Sequence, residues 1–235
     1  MSTSRYAIYI APQPDTALWQ FGSRVLGYDA ATGSDVHGFS LPGLDAETWR
    51  MQTDRPRTYG FHATLKAPFR LADGCTVSEL SAALSLFAAA RPGFDLGPLA
   101  VSCLKQGEGG FVALTPQRPS PALIDLEAAT VMHFDRFRAP LTDAERTARR
   151  PESLSARERD HLERWGYPHV LDGFRFHMTL TNFLPNPDDL ADQLAETLAN
   201  ELGTAHLDVD ALVLFEQEAP GSRFRIISRA ELATA

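Results

Sequence analysis

Phe61-His-Ala-Thr-Leu65 recurs as Phe176-His-Met-Thr-Leu180, with the two histidines 115 residues apart. Side chains alternate across an extended strand, so each copy sorts its residues onto two faces. Gly60, His62, Thr64 and Lys66 share one face of the first copy, and Arg175, His177, Thr179 and Thr181 share the matching face of the second. The opposite rows are Phe61, Ala63 and Leu65, and Phe176, Met178 and Leu180. An apolar row suits packing beneath a helix. A polar row with imidazoles and hydroxyls is expensive to bury without a ligand or partner.

The segments downstream of the two copies are also alike. After the first, Thr76-Val-Ser-Glu79 has the form of a capping box, and Leu80, Ala83, Leu84 and Phe87 make an apolar stripe that Arg91-Pro92-Gly93 ends. After the second, Asn186 is expected to cap a helix with Pro187 at its first position, lined by Leu190, Leu194, Leu198 and Leu202 and closed by Gly203. A hairpin is then expected each time. The first runs over 99–104 and 111–115 around a turn at Gly107–Gly110, where no helix comes next to make a phosphate-cradling loop. The second runs over 207–215 and 224–228 around Pro220-Gly221. A strand over 6–10 and a helix over 15–26 precede the first copy, and a helix over 122–138 precedes the second. Strand, helix and hairpin thus occur twice, which predicts an α+β fold of two pseudo-symmetric lobes. Each lobe is an antiparallel sheet with helices on its outer face, and together they form a saddle-shaped cleft. The chain reads as one two-lobed domain over 1–235. Lobe 1 covers about 1–118 and lobe 2 about 119–235, with an Arg-rich helical connector at 139–170 whose arginines face solvent or close over the cleft as a lid.

Composition narrows the partners. The chain has 235 residues, with 22 Lys and Arg against 30 Asp and Glu, for a formal net charge of −8. Binding a long nucleic acid through bulk charge needs clustered Lys and Arg, so that class is disfavoured, while a small anion remains compatible with a local cluster of cations. The start of the chain lacks the pattern of a signal peptide, and no apolar run approaches the ~20 residues of a membrane helix. Cys75 and Cys103 form no C-x-x-C pair, which argues against a disulfide scaffold or a cysteine zinc site. A cytoplasmic protein is expected.

The polar rows suit phosphodiester cleavage. Imidazole titrates near pH ~6.5, so one histidine can accept a proton while the other donates one to a leaving alkoxide. The threonine hydroxyls can bond the non-bridging oxygens as charge builds there. Lys66 and Arg175 would add positive charge, and Tyr59, at the mouth of the first strand, could reach a sugar. H-x-T supplies one good ligand per motif, and the scheme calls for no metal and no cofactor. The symmetry leaves acid and base open, with His177 leaning to base and His62 to acid.

These paired motifs resemble the 2H phosphoesterase superfamily, named for two H-x-[ST] motifs. The longer runs Tyr59-Gly-Phe-His-Ala-Thr-Leu-Lys-Ala-Pro-Phe69 and Arg175-Phe-His-Met-Thr-Leu-Thr181, with Trp165-Gly-Tyr-Pro-His169, look like a bacterial branch associated with phosphonate-metabolism gene clusters. The resemblance implies catalytic roles for His62, Thr64, His177 and Thr179, and a small cyclic phosphate as substrate, such as a ribosyl 1,2-cyclic phosphate. Two other readings stay open. An RNA-end 2′,3′-cyclic phosphodiesterase or 2′,5′-ligase-like enzyme would want a basic, aromatic strip leading from the cleft. A binding module for a phosphorylated ligand would need neither histidine twice.

Overall fold

The computed structural model describes residues 4–234. The chain opens with β1 (Arg5–Ile10), α1 (Ala17–Leu26) and a small hairpin, β2 (Tyr28–Asp29) and β3 (Ser34–Asp35). Two short helices, α2 (Ala46–Gln52) and α3 (Asp54–Tyr59), lead into β4 (Ala63–Phe69), α4 (Val77–Ala89), β5 (Phe94–Gln106) and β6 (Gly109–Pro116). After α5 (Pro121–Phe134), the connector forms α6 (Asp143–Ala148) and α7 (Ala156–Trp165). The chain closes with β7 (Met178–Thr179), α8 (Asp188–Leu202), β8 (Ala205–Val209), β9 (Ala211–Gln217) and β10 (Arg225–Glu231).

Local signals explain most boundaries. Thr16 accepts from Trp19 N and starts α1, and Gly27, at φ +70°, ends it in the left-handed conformation that glycine adopts without strain. The Thr76–Glu79 capping box makes both of its bonds. Ser155 and Glu158 make another at the start of α7, after a single turn of 3₁₀ helix at Pro151–Ser153 interrupts the connector. Pro187, rather than Asn186, takes the cap position of α8, whose first-turn Asp188 and Asp189 complement the helix dipole. The helices α2 and α3 and the β2–β3 hairpin carry no strong periodicity, and nothing in the linear pattern announces them.

The architecture is α+β, built on one antiparallel eight-stranded sheet in the order β10-β9-β1-β4-β7-β6-β5-β8. The two motif strands, β4 and β7, are neighbours at its centre. Four strands lie on each side. The His62 side, β4, β1, β9 and β10, carries α4 on β9 and β10; the His177 side, β7, β6, β5 and β8, carries α8 on β5 and β8.

The expected strand over 207–215 breaks at Asp210. Asp210 O accepts from Leu232 N at 2.7 Å, and its carboxylate takes Gln13 and Arg229. The piece before the break joins β5; the piece after it crosses the molecule to join β1. The β5–β6 hairpin crosses in the other sense. A division near residue 118 thus marks the order of elements along the chain, while the halves of the sheet exchange strands. The core lies between sheet and helices, filled by Ala63, Leu65, Met178 and Leu180 from the motif strands with Leu84, Phe134 and Leu194 from the helices.

Both alternating rows hold as far as their threonine and fail beyond it. On β4, Ile8 pairs with Lys66 but Tyr9 pairs with Thr64, so a bulge consumes one residue and reverses the face. Lys66 is only 3% exposed, and its ammonium donates to Val131 O and to Asp135 of the α5 end, each at 3.1 Å. On the other strand, Leu180 N and Thr181 N both donate to Val112 O, and the buried Thr181 hydroxyl accepts from Val112 N at 3.0 Å. Among the described residues no helix is long and apolar enough to cross a membrane.

Candidate functional site

The seam between β4 and β7 rests on one register pair, Ala63 opposite Met178. Both are fully buried beneath the helices. Antiparallel pairing carried one residue either way sets Thr64 beside His177 and His62 beside Thr179, all on the opposite face. Each histidine therefore stands next to the other motif's threonine. The four groups meet side by side on adjacent strands.

Both imidazoles are held in one tautomer. His62 Nδ1 donates to Gly60 O at 2.9 Å, and His177 Nδ1 donates to Arg175 O at 2.8 Å. A carbonyl can only accept, so Nδ1 carries the proton and Nε2 presents its lone pair. Gly60 makes this possible at the first site. Its φ is +77°, and a Cβ there would come within 2.6 Å of Ala30 Cβ.

The surroundings then differ. His62 stacks face-on against Tyr9, with centroids 3.8 Å apart and planes 24° from parallel, and its Nε2 accepts from the Thr64 hydroxyl at 3.2 Å. The residue is half-buried, and dense packing around the ring pulls its pKa down to about 4. His177 adds to this by repulsion, and the Gly60 carbonyl opposes it. His177 meets the edge of Phe111 at 5.5 Å and is also lowered, by burial, against the pull of Arg175 O. Thr179 makes no side-chain hydrogen bond among the described residues. Arg175 is exposed at the cleft and, among the described residues, has no ion-pair partner. Tyr59 is half-buried, stacked on Phe224 at 5.2 Å and 6.2 Å from the His62 ring. Of the residues expected to bind substrate, Arg175 and Tyr59 stand at the site, and Lys66 is turned under α5.

A cleft of about 460 Å³ opens over this seam, with Thr64, His177, Arg175 and Phe111 on the sheet side and Tyr167 and His169 from the connector. The connector is pinned as a wall. Arg70 holds Glu145 through paired bonds of 3.0 and 3.1 Å, and Arg138 donates to Arg164 O at 3.0 Å. Glu127 of α5, which is 0% exposed, accepts from Leu171 N at 3.1 Å, where Leu171 sits at φ +55°. Burial raises the Glu127 pKa to about 7, against the lowering effects of Leu171 N and Lys66. Carboxylates thus do stand at the cleft. Glu158, however, pairs with His169 at 3.3 Å and Asp172 with Arg157 at 2.6 Å.

Sequence reasoning passed over Glu127 and gave Tyr167 no role of its own, while Tyr9, on the opening strand, reads as core or rim. A signal for the first existed, because Glu127 falls in register with Leu123, Leu126, Val131 and Phe134 on the buried face of α5. Among the described residues, a cluster with metal-ligand spacing is Asp95, His206 and Asp208, exposed on β5 and β8 at the far edge of the sheet. Neither motif histidine belongs to it.

Residues 64–225 match the family described as a protein of unknown function, DUF1045. The chain belongs to this family. The matched stretch contains the second motif whole and the first from its threonine on. Among curated proteins the chain is similar to ribose 1,5-bisphosphate phosphokinase PhnN of Janthinobacterium sp. (strain Marseille), at 36% identity over 228 residues, covering 95% of this chain and 49% of that protein. It is similar to the protein of the same name from Laribacter hongkongensis (strain HLHK9), at 34% identity over 224 residues, covering 94% and 50%. The chain spans about half the length of the curated relatives it matches. A solved structure described as a phosphoesterase aligns over 98% of this chain and 99% of its own, with 16% identity and a TM-score of 0.43.

Proposed function

We propose that this chain is a phosphodiesterase that opens a small cyclic phosphate, a ribose cyclic phosphate in particular, by paired-histidine acid–base catalysis in the cytoplasm. The carrying observation is the crossed seam: two imidazoles with Nδ1 anchored and the lone pair on Nε2, each beside the other motif's threonine. One Nε2 takes a proton from water as the water oxygen bonds to phosphorus. The bond from phosphorus to one ring oxygen breaks, and that oxygen takes the proton of the second, protonated imidazole. The products are a phosphomonoester and a free hydroxyl. Thr64, Thr179 and Arg175 are positioned to stabilise the charge that builds on the non-bridging oxygens.

The electrostatics favour His62 as base and His177 as acid, the reverse of the lean taken from sequence. A group with a pKa of about 4 is almost wholly neutral at pH 7, and His177 is less strongly depressed. The curated relatives' name supports ribose as the sugar. Opening a 1,2-cyclic phosphate on ribose 5-phosphate at its O2 bond yields ribose 1,5-bisphosphate, the compound in that name. The same name raises a phosphokinase reading. Against it, the chain covers about half of those proteins and has no glycine-rich loop ending in Gly-Lys; Gly107 and Glu108 instead form the β5–β6 turn.

The test is turnover of nucleoside 2′,3′-cyclic phosphates, a ribose 1,2-cyclic phosphate and a 2′,5′-linked dinucleotide, with and without EDTA. The expected result is EDTA-resistant opening of the small cyclic phosphates, lost in both His62→Ala and His177→Ala with circular dichroism unchanged. Wild-type rates in either variant would overturn the proposal.

A further inference from the structure

Three phenols, Tyr9, Tyr59 and Tyr167, gather on the His62 side of the cleft. Tyr9 is 0% exposed and stacked on His62, yet its hydroxyl has no hydrogen-bond partner among the described residues. The Tyr9 pKa stands well above its usual value. Burial is the main cause, Tyr59 and Tyr167 are close enough to add to it, and Arg5 and Arg149 close enough to offset it. Tyr59 and Tyr167 likewise make no hydroxyl hydrogen bond among the described residues.

Arg149, at the C-terminal end of α6, lies with its guanidinium carbon 4.9 Å from the centre of the Tyr167 ring. It is half-buried and, among the described residues, has no carboxylate partner. Three other connector arginines have partners: Arg146 pairs with Glu163, Arg157 with Asp172, and Arg159 donates to Leu154 O. A half-buried guanidinium with no counter-ion is unfavourable unless an anion joins it. Arg5, the other cation near Tyr9, is bonded to Gln217 at 2.8 Å.

We infer that Arg149, Tyr59 and Tyr167, with Tyr9 packed behind them, form a subsite for a second phosphoryl group, a terminal phosphomonoester carried by the substrate at a distance from the phosphate being cleaved. A phosphomonoester has three oxygens and close to two negative charges near neutral pH, which match several phenol donors around one guanidinium. A neutral sugar or base would leave Arg149 uncompensated. The pinned connector makes the subsite pre-formed, so binding need not close a lid. The inference rests on the cyclic-phosphate reading only for where the reacting phosphate sits.

Two measurements test it separately from that reading. The first compares kcat/KM for adenosine 2′,3′-cyclic phosphate and for its 5′-phosphorylated form. Wild type is expected to favour the second by about tenfold or more, which is what one charge-assisted contact supplies. In Arg149→Ala the ratio is expected to fall toward one, and in Arg149→Lys to recover in part. The second is calorimetric titration of ribose 5-phosphate, expected to bind wild type about tenfold or more tightly than Arg149→Ala. Should no cyclic phosphate turn over while ribose 5-phosphate binding depends on Arg149, the subsite stands and the catalytic reading falls. A wild-type ratio near one, or a ratio and an affinity that Arg149→Ala leaves unmoved, overturns the subsite. Equal losses in Arg149→Ala and Arg149→Lys, with circular dichroism altered in both, also overturn it, because the residue would then act on the fold.

Discussion

The two motifs share a sequence and one tautomer but not an environment. His62 immediately precedes a seven-residue strand flanked by β1 and β7, with Tyr9 against its face and Thr64 on its Nε2. His177 precedes a two-residue strand, meets only the edge of Phe111, and leaves Thr179 without a side-chain partner among the described residues. A duplicated motif has thus been given two electrostatic settings by its neighbours. One imidazole is held firmly neutral, and the other remains easier to protonate. That inequality favours one arrangement of acid and base, because the more depressed group is the neutral one in most singly protonated molecules.

The comparison can be broken by experiment, beginning with its largest consequence. Replacing either histidine by alanine should lower kcat by about 10³-fold, within the usual range for a general acid or base. The pH profile should then separate the two. In wild type, kcat/KM should fall on the acid side near pH 4 as His62 protonates, and on the alkaline side below pH ~6.5 as His177 loses its proton. A profile flat from pH 5 to 8 would reject these roles. Thr179→Val and Thr64→Val should each lower kcat by about 10²-fold. Thr64→Val should also move the acid limb, because Thr64 alone bonds its histidine; equal profiles in the two variants would erase the asymmetry.

Smaller effects sharpen it further. Tyr9→Leu loosens the packing around His62, so the acid limb should rise by about one pH unit while the alkaline limb stays. Stability carries the same signature. His62 is depressed on folding, so its contribution is present above its unfolded value of about 6.5 and is lost as pH falls toward 4. Glu127 is raised on folding, so its contribution is present below about 4.5 and is lost as pH rises through 7. The two slopes oppose each other between pH 4.5 and 6.5. Urea unfolding of Glu127→Gln should therefore show stability rising with pH across that window, and a gain over wild type of up to about 3 kcal/mol at pH 7.5. The least effect on activity belongs to Lys66→Met, with KM expected to change less than about twofold, since its ammonium is spent on α5. A large rise in KM would mean that the bulge on β4 is not the resting geometry.

Much of this was legible in the linear chain. Period-two alternation separated Phe61, Ala63 and Leu65 from His62 and Thr64, because burial acts on faces and strands have only two. A capping box marked α4 because unsatisfied N–H groups at a helix start must find oxygen nearby. Lys66 and Thr181 escaped this logic. A bulge depends on how a neighbouring strand pairs, and neither residue's own sequence context records its partner. The break at Asp210 is of the same kind, made by Gln13, Arg229 and Leu232 from distant segments.

By itself, the sequence determined which residues could do the chemistry: two imidazoles and two hydroxyls on the polar faces of two similar strands, in a chain too acidic to favour long polyanions. Only the tertiary structure decided that the strands lie side by side in crossed register, that Lys66 leaves the site, and that Arg149 lies over Tyr167. Periodicity is a local property of the chain, whereas register, desolvation and uncompensated charge are set by residues from other segments.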